Sequence, residues 1–185
     1  MRVITGSAKG KKLRQVPGKT TRPITDRVKE ALFNILDNWV IDHRLLDLFA
    51  GTGAVGIEFL SRGGRQAVFV ERAGPAQRVI QENLRLTKLT AQADLVRGDA
   101  FKYLARDLLD PFEVIYIAPP QYQNLWQKAL QMIDRRPTLL TSDGIVVVQI
   151  DPREFEEVTL QTLALYDQRK YGNTMLCFYE KPLSS

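Results

Sequence analysis

The sequence predicts an α/β fold: a doubly wound, mostly parallel seven-stranded sheet, closed at its C-terminal edge by an antiparallel hairpin and preceded by a small basic arm. Three observations predict it. Short apolar stretches near 45–49, 66–71, 93–97, 112–117 and 144–150 alternate with helical patterns near 54–62, 75–87, 100–108 and 123–135. Repeated βα units of this size imply a parallel sheet covered on both faces. The first apolar stretch runs straight into Gly51-Thr52-Gly53-Ala54-Val55-Gly56, a strand, a tight turn and a helix start in succession. Near the C-terminus the alternation stops: residues 160–170 and 174–179 read as two strands joined at Tyr171-Gly172-Asn173 with no helix between them.

A chain of 185 residues is about one domain, long enough to bury a full core. With 44% hydrophobic and 25% charged residues its composition is that of an ordinary globular protein. No apolar run approaches the roughly 20 residues that cross a bilayer, and no signal pattern opens the chain, so no membrane partner and a cytoplasmic location are expected. The one cysteine, Cys177, excludes an internal disulfide. With one histidine, His43, beside it, no metal site is expected. Charge is uneven. Residues 1–30 carry nine basic and two acidic side chains, a net +7, so the remainder of the chain, with +5 overall, sums to −2. A basic segment of this kind points to a polyanionic partner, most often nucleic acid.

The elements follow in order. Residues 1–24 read as an extended appendage suited to contacting nucleic acid, with Arg2-Val3-Ile4 and Lys12-Leu13 as a weak hairpin around Gly6 to Gly10. Pro17-Gly18 and Pro23 interrupt any regular element there. The main domain would then occupy 25–185. A helix is expected from about Asp26 to Val40, capped by Thr25, with Val28, Ala31, Leu32, Ile35, Leu36 and Trp39 as its apolar stripe. Arg27 and Lys29 lie off that stripe and are expected to face a ligand. With Lys11, Lys12, Arg14 and Arg22 they form the candidate phosphate-contacting set. His43 is expected in a surface loop. Cys177 is expected as an inert core thiol in an edge strand.

A Gly-x-Gly-x-x-Gly loop alone is shared by several nucleotide-binding enzymes. The candidates for holding the cofactor are Asp47, Phe49, Gly51, Gly53, Gly56, Glu71, Asp99 and Ala100. Asp47 sits on the strand just before the loop, where an acid repels a pyrophosphate. It suits a cofactor bearing an ammonium and a sulfonium, which S-adenosylmethionine does. Glu71 ends the second strand and can accept both ribose hydroxyls, a feature that fits NAD and S-adenosylmethionine alike. Asp99 closes the third strand; it can accept an adenine amine, with Ala100 small enough to admit the ring, and it can also cap the following helix. No Gly-Lys-Ser/Thr follows the loop, which excludes a P-loop.

The fourth strand ends in Ala118-Pro119-Pro120-Gln121-Tyr122. Two prolines there stiffen a turn at the edge of the sheet where ligands bind in doubly wound folds. Its exposed carbonyls can accept hydrogen bonds from a target amine, and Tyr122 can stack on the base that carries it. These five residues are the candidate catalytic set.

Together these segments resemble the amino-methyltransferases of the class I, S-adenosylmethionine-dependent superfamily, which have a Rossmann-like fold. They are more closely similar to the RsmD family. The resemblance rests on Arg2-Val3-Ile4-Thr5-Gly6, on the run from Thr21 to Leu36, on Leu46 to Gly56, on Glu58 to Gly63 and on the Pro-Pro turn. It implies methyl transfer to the exocyclic N2 of a guanine in 16S ribosomal RNA, with the RNA or a small-subunit assembly intermediate as partner and a monomer as the working unit. The family's turn normally reads Asp/Asn-Pro-Pro-Tyr/Phe. In this chain Ala118 stands at the acid or amide position and Gln121 is inserted before Tyr122. The lost side chain is the one expected to accept from the target amine. Its loss is expected to cost on the order of 10²–10³ in rate, unless the carbonyls of Ala118 and Pro119 or the side chain of Gln121 serve. Other readings of the same residues are a DNA or protein amino-methyltransferase, a catalytically weakened RNA-binding or assembly factor, and a nicotinamide dehydrogenase.

Overall fold

A computed structural model describes residues 1–18 and 23–182. The parallel strands are β1 (Arg44–Asp47), β2 (Gln66–Glu71), β3 (Ala93–Arg97), β4 (Phe112–Ile117) and β5 (Leu140–Ile150). The helices are α1 (Asp26–Leu36), α2 (Ala54–Ser61), α3 (Gly74–Thr87), α4 (Ala100–Leu104) and α5 (Leu125–Asp134). The hairpin strands β6 (Ala164–Tyr171) and β7 (Thr174–Glu180) complete one seven-stranded sheet in the order β3-β2-β1-β4-β5-β7-β6. Every pairing from β3 across to β5 is parallel, and β7 runs antiparallel to both β5 and β6. Strand order reverses between β1 and β4, so the crevice of a doubly wound fold opens at their carboxyl ends.

The sheet divides the core in two. One face buries Leu45, Phe69, Val114, Tyr116, Val147 and Phe178 under α1, α2 and α3. The other buries Leu46, Val70, Ile115, Val148 and Cys177 under α4 and α5 with Trp126 and Leu130. This alternation is the two-residue period of a strand.

Several expectations change in detail. The helix after Thr25 keeps its cap, with the Thr25 hydroxyl accepting from the Val28 N–H. It is α-helical only to Leu36 and then tightens to a 3₁₀ turn over Asp37–Val40. The helix expected over 100–108 stops at Leu104. β7 lies between β5 and β6, so Cys177 is in an interior strand and not at an edge; it is fully buried. His43 is half-buried in a turn against Trp39. The N-terminal hairpin is no free appendage. It reduces to a single antiparallel bridge, Arg2 with Lys12, yet Val3, Ala8 and Leu13 enter the core beneath α1 and α2. Gly6 lies so close to the end of α2 that a Cβ would stand 1.7 Å from the Ser61 carbonyl oxygen.

Candidate functional site

The loop between β1 and α2 is built by backbone bonding to its neighbours. Leu48 N–H donates to the Tyr116 carbonyl at 3.1 Å and Ala50 N–H to the Val70 carbonyl at 3.1 Å, which anchors the loop on β4 and β2. Gly51 and Gly53 take φ of +56° and +77°, the left-handed region that glycine enters without steric cost. Space around Gly51 is open, as it is around Gly98 at the end of β3. Gly56 acts from beneath. A Cβ there would come 2.3 Å from the Phe69 ring, so glycine lets α2 lie against β2, and its N–H supports Asp47.

Asp47 is buried. Its Oδ1 has no partner among the described residues. Desolvation, with a smaller push from the Glu71 charge, raises its pKa to about 7, against the N–H groups of Gly56 and Phe49 that favour the carboxylate. Glu71, half-buried at the end of β2, accepts from Gly51 N–H at 2.9 Å through Oε2 and from Ala73 N–H at 2.8 Å through Oε1. Each oxygen keeps a further lone pair. Asp99 caps α4: its Oδ1 accepts from the N–H groups of Phe101 and Lys102 at 2.9 and 3.0 Å. Ala100 is buried behind it. Phe49 meets Phe101 edge-on with centroids 6.1 Å apart, and the Lys128 ammonium stands 4.2 Å from the Phe101 centroid.

An orphaned buried carboxylate oxygen, two open glycines, and acids ending β2 and β3 fit S-adenosylmethionine. Its ammonium would satisfy the carboxylate that a pyrophosphate would repel.

Across the strand reversal, β4 leads into Ala118-Pro119-Pro120-Gln121-Tyr122. Ala118, Pro119 and Gln121 are half-buried, while Pro120 and Tyr122 are exposed. Tyr122 has φ of +60°, strained for a side chain of its size. What holds it is a clasp from the end of β5 that sequence reasoning missed. The Tyr122 N–H donates to Glu154 at 2.6 Å and its hydroxyl to Asp151 at 2.9 Å. Arg153 donates to the Tyr122 oxygen at 2.6 Å and to Asp151 at 2.8 Å. The Arg153 guanidinium holds the Asp151 carboxyl well below the usual carboxylate range. The legible signal was Asp151-Pro152-Arg153-Glu154, a capping box at a strand end. Sequence reasoning also missed Gln149, whose side-chain oxygen accepts from the buried Tyr116 hydroxyl.

The basic candidates separate. Lys11, Lys12, Arg14 and Arg27 are exposed. Arg14 pairs with Glu82 at 3.1 Å. Its backbone joins Asn83, which donates at 2.9 Å to the Thr52 carbonyl of the glycine loop. Arg22 lies outside the described residues. Lys29 does not face a ligand: it is fully buried, 3.4 Å from Glu58, and donates to the Arg2 carbonyl. Glu58 also accepts from the N–H groups of Ile4 and Thr5 at 2.8 and 3.0 Å and from Arg62 at 2.9 Å. Helical periodicity marked the stripe but not its width. α1 buries Lys29 and Phe33 as well as Val28 and Leu32, and leaves Ile35 exposed.

Known proteins resemble this chain in sequence and fold. A family model described as "Conserved hypothetical protein 95" matches residues 1–180. "Putative rRNA methyltransferase YlbH" of Bacillus subtilis is 39% identical over 98% of this chain and 99% of its own. "Ribosomal RNA small subunit methyltransferase D" of Escherichia coli K12 is 33% identical over 98% of this chain and 90% of its own. Among solved structures, a hypothetical protein of Thermus thermophilus superposes with a TM-score of 0.82 at 32% identity, over 97% and 99% of the two chains. An RNA methyltransferase from Salinibacter ruber in complex with S-adenosyl-L-homocysteine shares the fold, with a TM-score of 0.67 at 16% identity over 89% and 96%.

Proposed function

The chain belongs to the RsmD family, described as "Conserved hypothetical protein 95", and from that premise we propose that it methylates the exocyclic N2 of a guanine in 16S ribosomal RNA. It is an S-adenosylmethionine-dependent rRNA methyltransferase. The observation that carries the finer reading is the juxtaposition, across the β1–β4 reversal, of a cradle suited to a cationic donor and the Pro119-Pro120 turn at the end of β4. When bound, the cofactor would supply an electrophilic methyl on a positive sulfur, open to direct displacement by an amine nitrogen with the C–S electron pair returning to sulfur and an N–H proton passing to solvent.

The protein's work is alignment. Asp47 would receive the ammonium, Glu71 the ribose hydroxyls and Asp99 the adenine amine, with Phe49, Gly51, Gly53 and Ala100 shaping the pocket. The Pro119-Pro120 turn would present carbonyls to the target amine, with Gln121 beside it. Tyr122 would stack on the base, held at its strained angle by Asp151 and Arg153. Lys11, Lys12, Arg14 and Arg27 would hold phosphates without reading sequence. The division into an RNA-contacting segment 1–24 and a methyltransferase domain 25–185 is then one of function, since the first segment shares the core. No helix among the described residues is long and apolar enough to cross a membrane. A cytoplasmic monomer acting on the small subunit or its assembly intermediate completes the reading. The test is transfer of labelled methyl from S-adenosylmethionine to 16S RNA, free and in particles, with the modified base mapped by mass spectrometry. Label on N2 of one guanine is expected; label on another base or on protein would overturn the reading.

A further inference from the structure

An exocyclic amine is a poor nucleophile because its lone pair is delocalised into the base. An acceptor on one of its N–H bonds orients that lone pair and takes up the positive charge that grows on nitrogen as the methyl arrives. Ala118 places no polar side chain at the mouth of the turn. Its neighbour does. β4 and β5 pair in parallel, with Tyr116 opposite Val147 and Ile117 opposite Val148. Continuing that register one residue sets Gln149 beside Ala118, about 4.8 Å away across the ladder. The two side chains share a face: Val114, Tyr116 and Ala118 on β4, and Ile145 and Val147 on β5, all pack into the cluster under α1, and alternation puts Gln149 on that face.

We propose that the side-chain amide of Gln149 is the hydrogen-bond acceptor for the target amine, supplied from β5 where β4 offers only Ala118. This rests on the reading above that the chain methylates an amine. Gln149 interrupts the apolar run Val146-Val147-Val148 on a strand flanked by β4 and β7. It is only half-buried although Val148 and Ile150 beside it are buried. Its Oε1 accepts from the Tyr116 hydroxyl, which turns the amide oxygen toward β4. An amide oxygen has a second lone pair, and that one is free for a ligand. A side chain one methylene longer than asparagine, starting one strand away, carries the same acceptor group to the same mouth. The competing role is structural, with Gln149 merely satisfying a buried tyrosine.

The experiment measures single-turnover methyl transfer to the RNA substrate, with cofactor affinity by calorimetry and melting temperature as controls. Gln149→Leu is expected to slow transfer by about 10²–10³-fold while cofactor affinity stays within about threefold. Gln149→Glu, which keeps an acceptor oxygen in the same volume, is expected to hold the rate within about tenfold of the parent. Ala118→Asn added to Gln149→Leu restores an acceptor from β4 and is expected to recover at least about tenfold. Full activity of Gln149→Leu would overturn the proposal, as would a slow Gln149→Leu that Ala118→Asn leaves unrescued. Should Gln149→Leu not fold, the Gln149→Glu rate decides: a loss of about 10²-fold or more in a folded protein overturns the proposal. An unmutated protein that transfers no methyl to any RNA defeats the functional reading instead, and is told apart by that result alone.

Discussion

Burial makes Asp47 the residue whose protonation matters most. Its raised pKa means the folded chain binds a proton more tightly than the unfolded chain does. Stability from this group is therefore full below about pH 4 and is lost as pH rises through about 7. Asp47→Asn removes the titration. The variant is expected to be more stable than the parent at pH 8, by about 2–4 kcal/mol, with the difference shrinking toward pH 5; denaturant melts at the two pH values read it. A cofactor ammonium beside Asp47 favours the carboxylate, so cofactor affinity should fall as pH drops below 7 and the dependence should vanish in Asp47→Asn. At the end of β2, Glu71→Ala should weaken cofactor binding more than tenfold by calorimetry, since about 1.5–3 kcal/mol rides on each charge-assisted bond. Unchanged affinity would remove Glu71 from the ribose role.

At the scale of elements, the N-terminal hairpin, α1 and α2 act as one unit because a single carboxylate ties them. Glu58 collects the N–H groups of Ile4 and Thr5, the Lys29 ammonium and the Arg62 guanidinium, and its side chain is fully buried. Removing one member of a buried ion pair strands the other, at a cost of about 3–5 kcal/mol. Glu58→Gln should lose stability of that order in chemical denaturation, with faster amide exchange across residues 3–13. Lys29→Ala should likewise act on stability and leave the salt dependence of RNA binding in place. The exposed cations behave differently. Replacing Lys11, Lys12, Arg14 and Arg27 with alanine should weaken RNA binding and reduce the slope of log affinity against log salt by about 3. An unchanged slope would show that the phosphates lie elsewhere.

For the molecule as a whole, the proposed function brings cofactor and substrate together at one edge of one sheet. A ligand that binds only the folded state stabilises all of it. At a hundredfold excess over Kd the cofactor should contribute about 2.7 kcal/mol, or roughly 5–10 °C in melting temperature for a domain of this size. NAD should give no shift, and a thermal melt with both ligands makes the comparison. A shift with NAD alone would remove the sulfonium reading of the Asp47 crevice.

Residues near in the chain carried most of what could be read without coordinates. The βα alternation, the glycine loop from Leu45 to Gly56, the Thr25 cap and the closing hairpin are local patterns, and local patterns follow from backbone sterics and from side-chain periodicity. The placement of Asp47, Glu71 and Asp99 at or just past strand ends was legible for the same reason; their roles toward a cofactor stay a proposal. Tertiary structure decided what depends on partners far along the chain. Lys29 looked like a surface cation until Glu58 took it into the core. Cys177 became interior because β7 inserts between β5 and β6. The Tyr122 clasp from Asp151 and Arg153, and the placement of Gln149 beside Ala118, arise only when β4 and β5 pair in one register. Nothing in either segment's own periodicity specifies that pairing; it is set by the packing that buries both strands together.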